Sequence, residues 1–83
     1  MELKKQPDQI ILDDYRNYIQ ALPSEENYYA KGSAVWFFKN GTGQHAVKIE
    51  IPLNGAYREH VLIYDKNNMR IKVIVYSGGR YSS

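Results

Sequence analysis

Not one of the 83 residues is cysteine, so no disulfide staples the chain and no thiolate serves as nucleophile or metal ligand. A domain of this length must then hold itself together with one small apolar core. The lack of cysteine also fits a reducing compartment. No apolar run is long enough to span a bilayer, and the start, MELKKQPDQI, lacks the apolar middle of a signal peptide. The expectation is a cytoplasmic protein that does not enter a membrane. His45 and His60 are the two histidines; they are not at metal-ligand spacing, and no metal centre is implied. Gly41-Thr42-Gly43 has no helix after it, so there is no phosphate-cradling loop. No cofactor is implied. Charge of one sign is also scarce: 11 basic against 9 acidic residues leave a formal +2, compatible with nucleic acid without demanding it.

What the chain does have is tyrosine, eight of them. Tyrosine buries a large ring while its hydroxyl finds a partner, in strands and interfaces alike. The clearest organisation lies in Ala56–Tyr76, where the apolar runs VLIY and IKVIVY flank Asp65-Lys66-Asn67-Asn68-Met69-Arg70. Asparagine tolerates positive φ, so Asn67-Asn68 predicts a two-residue hairpin turn. That register sets Asp65 opposite Arg70, Tyr64 opposite Ile71 and Leu62 opposite Val73.

Upstream, Pro7-Asp8 reads as a helix start with Asp8 as cap. Ile11, Tyr15, Tyr18, Ile19 and Leu22 follow at helical spacing along one face. Pro23 disfavours helix at Leu22 and closes the element. Pro23–Asn27 reads as a loop, and Tyr28–Lys39 as a strand with a bend at Gly32. Asn40-Gly41-Thr42-Gly43 reads as a hairpin loop, His45–Ile51 as an alternating strand, and Asn54-Gly55 as a second two-residue turn. That turn pairs Ile51 with Arg58, Ile49 with His60, and Val47 with Leu62. Residues 1–6 read as frayed or a short edge strand, and Ser77–Ser83 as a flexible tail.

The registers agree on two faces, because directly opposed residues point the same way. One face collects Ala34, Trp36 and Phe38 with Val47, Ile49 and Ile51. Leu62, Tyr64, Ile71, Val73 and Val75 complete it as a core, with Trp36 buried under the helix. The other face mixes Phe37, Val61, Ile63, Ile74 and Tyr76 with Lys48, Glu50, Glu59, Arg70 and Lys72. Glu50 falls opposite Glu59, which calls for something positive between them. The fold class that follows is α+β: one N-terminal amphipathic helix packed on a four-stranded antiparallel β meander, a single domain.

A solvated antiparallel face should alternate more cleanly than this one. Apolar anchors within a charged rim are the anatomy of a specific interface. The expected binding residues are Phe37, Lys48, Ile63, Arg70, Lys72, Ile74 and Tyr76. A protein partner fits the balanced charge best; exposed aromatics with basic residues also suit RNA, and a second copy of the chain is a further occupant of this face. His45 and His60 fall near the ends of the core face, where a hydrogen-bonded boundary role is the usual explanation. Glu59 alternates away from Arg58 and His60, so those three neighbours do not form an acid–base site.

Val47-Lys48-Ile49-Glu50, Gly55-Ala56-Tyr57-Arg58 and Gly79-Arg80-Tyr81 give residues 46–81 a resemblance to the RelE family of toxin ribonucleases. That resemblance implies a ribonuclease in which Lys48, Arg58 and Arg80 contact RNA phosphates and Tyr81 stacks or assists. The turn register, however, puts Lys48 and Arg58 on opposite faces. A non-enzymatic binding protein is therefore the first expectation. Inhibitors, antitoxins, immunity proteins and phage-encoded anti-defence proteins are commonly this small and cysteine-free, an analogy of class.

Overall fold

The computed structural model describes residues 2–3 and 8–78. Its elements are β1 (Glu2–Leu3), α1 (Gln9–Gln20), α2 (Ser24–Tyr29), a 3₁₀ turn (Ala30–Gly32), β2 (Ala34–Lys39), β3 (His45–Leu53), β4 (Ala56–Tyr64) and β5 (Arg70–Gly78). The strands form one antiparallel sheet in the order β1-β2-β3-β4-β5. The fold is α+β, an N-terminal helix on a four-stranded meander β2–β5, with two-residue β1 added beside β2. Among the described residues, no helix is long and apolar enough to cross a membrane.

Helix α1 begins where expected, with Asp8 as its extended N-cap at φ −63°, ψ 156°. The Asp8 carbonyl accepts from the amides of Ile11 and Leu12 at 3.0 and 3.1 Å. Its carboxylate caps no helical amide; it accepts from Asn68 Nδ2 at 2.8 Å, tying the helix start to the β4–β5 loop. The expected stripe packs on the sheet: Ile11 is fully buried, and Tyr15, Tyr18, Ile19 and Leu22 lie against the core. After Pro23 the chain does not loop to a strand at Tyr28. It forms α2, whose first turn carries Glu25 and Glu26, as the helix dipole favours. Asn27 donates from Nδ2 to the Ile19 carbonyl at 2.9 Å, satisfying an acceptor at the end of α1.

Turn chemistry decides the register of each hairpin. At Asn54-Gly55 the pairing is as expected, with Ile51 opposite Arg58, Ile49 opposite His60 and Val47 opposite Leu62. Gly55 takes φ +77° while Asn54 does not turn positive, the sign pattern of a type II turn. The β2–β3 loop runs one residue longer than the composition implied, closing with Lys39 opposite His45. Asn40 Oδ1 holds it together, accepting from the amides of Thr42 and Gln44 and from the Thr42 hydroxyl at 2.8–3.0 Å. One extra residue flips the whole strand. Phe37 therefore pairs with Val47 and Trp36 with Lys48, so Phe37 and Val35 join the core and Trp36, Ala34 and Phe38 leave it. Phe37 meets Tyr15 edge-on, ring centroids 5.7 Å apart.

The β4–β5 loop repeats the same construction. Asp65 Oδ1 accepts from the amides of Asn67 and Met69 at 2.8 and 3.0 Å. Asn68 supplies the left-handed residue at φ 64°. The two loops lie side by side: a Cβ added at Gly43 would come within van der Waals contact of Lys66 Cβ, at 3.6 Å. Leu62 pairs with Val73 as expected, but a register shift between Ile63 and Tyr64 sets Tyr64 opposite Arg70. The expected Asp65–Arg70 and Tyr64–Ile71 pairs do not form, and the bulge turns Arg70 to the helix side.

The core is Ile11, Val47, Ile49, Ile51, Leu62 and Tyr64, all at 0 % exposure, with Ala30 beside them. Ile71, Val73 and Val75, expected within it, are 56, 38 and 49 % exposed. A helix about 10 Å wide spans roughly two strands spaced about 4.8 Å apart. The helical layer covers the middle of the sheet and leaves β5 bare. Ser77 and Gly78, expected in a flexible tail, extend β5 opposite Arg58 and Tyr57. The expected frayed positions 1 and 4–6 and the tail 79–83 lie outside the described residues.

Candidate partner-binding surface

Cross-strand pairing lays out the sheet face turned away from the helices as rows. Phe38, Ala46, Ile63 and Lys72 form the first; Trp36, Lys48, Val61 and Ile74 the second; Ala34, Glu50, Glu59 and Tyr76 the third. A fourth row sets Tyr57 opposite Gly78, and a Cβ at Gly78 would run into the Tyr57 ring. The bare glycine lets that ring lie across the strand. Ala46 is buried at the centre of the first row, while Trp36, Phe38, Val61, Ile63 and Ile74 are half-buried and Tyr76 is 53 % exposed.

The Glu50–Glu59 pair forms as the register requires, and Lys48 of the neighbouring row brings a positive group to Glu59. Its Nζ lies 3.5 Å from Glu59 Oε1 and 4.9 Å from the centre of the Trp36 ring. Partial exposure of both partners keeps this pair to a few tenths of a kcal/mol, about 0.5 at most. Its effect is to fix the lysine over the indole.

The helix-covered face carries its charges differently. Glu26, from α2, is buried and binds two groups of β4: Oε1 accepts from Arg58 Nη1 at 2.7 Å, and Oε2 meets His60 Nε2 at 2.8 Å. Nδ1 of His60 is 2.7 Å from the Tyr18 hydroxyl of α1. Arg70 lies over the Tyr18 ring, 5.1 Å from its centre, with Nε 3.5 Å from Asp14 Oδ2. The Tyr64 hydroxyl donates to that same carboxylate oxygen at 2.6 Å. Burial pushes the Tyr18 hydroxyl above its ordinary pKa; Arg70 opposes the shift and Glu26 adds to it. Tyr64 is raised much further, by burial first and then by its bond to Asp14.

Histidine, carboxylate and phenol in a chain are groups that move protons. Here their bonds join α1 and α2 to β4. A cleft of about 360 Å³ opens between the first half of α1 and the β4–β5 loop, lined by Ile10, Asp13, Asp14, Asn17, Asn68, Met69 and Arg70. Glu26, at 7 % exposure, and His60, at 3 %, sit at the centre of the network that braces both helices against β4.

Of the residues expected at a binding face, Lys48, Ile63, Lys72, Ile74 and Tyr76 share the open side. Phe37 belongs to the core, and Arg70 is held by Tyr18 and Asp14 on the helix side. Trp36 and Phe38 take up the aromatic positions on the open face, and a loop one residue longer would have located them. Lys48 and Arg58 lie on opposite faces, the latter bound to Glu26; Arg80 and Tyr81 lie outside the described residues. His60 is hydrogen-bonded as expected, yet at 3 % exposure it lies within the core and not at its boundary, and His45 is buried at 7 % exposure. Glu26 had no signal in the sequence, since its partners lie more than thirty residues away. Comparison of the chain with family models, with curated proteins and with solved structures finds no match.

Proposed function

We propose that the chain is a small, non-enzymatic, cytoplasmic binding protein that engages a macromolecular partner, in the first place another protein, through the open face of its sheet. The observation that carries the reading is the make-up of that face. Trp36, Ile63, Ile74 and Tyr76 stand among Lys48, Lys72, Glu50 and Glu59, and no described element covers them. Tryptophan and tyrosine are the residues that most often dominate binding energy in interfaces. Lysines and glutamates in equal number, with Lys48 already beside Glu59, favour a protein over a polyanion. Inhibitors, immunity proteins and anti-defence proteins of this size act in this way, an analogy of class.

The test is capture from the source cell with wild type, Trp36→Ala and Ile63→Asp, the fold of each checked by circular dichroism. Folded variants that lose the captured protein support the reading. Equal capture by a folded Trp36→Ala protein overturns it. Trp36 is the sole tryptophan, so a blue shift of its emission on adding the partner reports burial of this face directly. Capture of RNA, with binding that weakens steeply in salt through counterion release, would overturn the choice of partner class.

A further inference from the structure

Strand β5 is nine residues long and ends the sheet; among the described residues, no strand lies beyond it. The opposite edge, β2, is met by β1 at Phe38 and Lys39. A long edge strand presents a row of main-chain donors and acceptors that another strand can take up. The apolar residues of β5 are also exposed on both sides of the sheet: Val73 and Val75 at 38 and 49 % on the helix side, Tyr76 at 53 % on the open side. The usual blunting devices are few. Only Lys72 interrupts the apolar run from Ile71 to Tyr76, and the bulge sits at one end of the strand, by Ile71.

The pattern of this edge is complementary to itself. We propose that β5 pairs antiparallel with β5 of a second copy about a two-fold axis at Ile74, joining the two sheets into one. In that register Val73 lies opposite Val75 of the second copy, and Val75 opposite its Val73. The row Phe37, Val47, Leu62, Val73 then continues into the second copy's Val75, covering the two valines that the helices leave bare. On the open side Ile74 meets its own counterpart, and Lys72 lies across from Tyr76, where an ammonium can rest on the ring. No like charges oppose each other. An axis at Lys72 would set lysine against lysine, and one at Ile71 would set Arg70 against Lys72; cross-strand like pairs are unfavourable. Placing both helices on the same side of the joined sheet requires an even register sum, which the Ile74 axis satisfies. This inference stands apart from the partner-binding reading, because it concerns the edge and is read on the purified chain alone.

Sedimentation equilibrium of the full chain should give twice the mass of one copy, dissociating on dilution. Val75→Lys should be monomeric at concentrations where wild type is dimeric, with an unchanged circular dichroism spectrum because Val75 is exposed. Cysteine is absent from the sequence, so a single introduced thiol reports register without background. Ile74→Cys should give a disulfide-linked dimer under mild oxidation, since directly opposed residues lie within disulfide reach. Val73→Cys alone should not, because its counterpart is diagonal at about 7–8 Å, whereas a mixture of Val73→Cys and Val75→Cys chains should cross-link. A monomer at every concentration tested would overturn the proposal. So would a dimer that Val75→Lys leaves intact, or cross-linking through Val73→Cys alone with none through Ile74→Cys.

Discussion

The two faces of this sheet carry the same kinds of side chain and use them in opposite ways. On the covered face, charges reach between elements that are distant in sequence: Glu26 of α2 to Arg58 and His60 of β4, Asp14 of α1 to Tyr64 and Arg70. On the open face the salt bridge stays inside the sheet, Lys48 to Glu59, and the aromatic beside it belongs to the adjacent strand. Charges on the first face fix how the layers sit on one another. Those on the second leave the surface intact and available. A buried ionic group is costly to strip of its partner, whereas an exposed pair contributes little.

That contrast is sharpest at two neighbours in the chain. Phe37 packs on Tyr15 and the core, and Trp36 faces away under Lys48. Phe37→Ala should destabilise the domain by about 3 kcal/mol, the low end for a buried aromatic because Phe37 is not fully enclosed. Trp36→Ala should cost about 1 kcal/mol. Urea denaturation of the pair measures both, and equal losses would erase the distinction between the faces.

The charged groups come next. Glu26→Ala leaves His60 buried beside an empty position and releases Arg58, with an expected loss of about 2–3 kcal/mol, reduced because Arg58 can reach water. Glu59→Ala, on the open face, should cost no more than about 0.5 kcal/mol and should lose even that in high salt. A Glu59→Ala loss as large as that of Glu26→Ala would show that the open face is structural.

A smaller effect separates the faces by pH. Tyr18 and Tyr64, both on the covered face, have pKa values raised above the ordinary 10.0. Their contribution is fully present below pH 10. As pH rises above that, the unfolded chain releases these protons while the folded chain holds them, and stability falls. Wild type should therefore lose stability above pH 10 in urea titrations, and Tyr64→Phe should lose less over the same interval, from a lower starting point. The smallest effect should come from Tyr76→Ala, within about 0.5 kcal/mol of wild type. Unfolding of that variant would make the open face a second core.

How far the sequence could be read followed from how local each cause was. The stripe of α1 was legible because 3.6-residue spacing is a property of the segment itself. The β3–β4 register was legible because a glycine that accepts positive φ, Gly55, fixes a two-residue turn whatever surrounds it. The β3–β4 register put Lys48 and Ile63 on a common face, and the Leu62–Val73 pairing, which holds up to the bulge, added Lys72, Ile74 and Tyr76 to it. Helix α2 escaped because its six residues, fewer than two turns, are too short for a periodic signal. Trp36 and Phe37 changed places because composition marks a loop without counting its residues, and alternation converts an error of one into the opposite face. Arg70 moved by the same arithmetic, through a bulge.

The sequence by itself determined helix α1, strands β3 and β4 and the hairpin that joins them, since each depends on torsional preferences and spacing within a few residues. Only the tertiary structure decided which face of β2 is inside, that Glu26 braces Arg58 and His60, and that β5 lies bare. Those outcomes depend on loop length to the residue, on partners more than thirty positions apart, and on the width of a helix against the width of a sheet. The last two lie beyond any window along the chain; the first turned on the bonds that Asn40 makes within its own loop, which composition does not count.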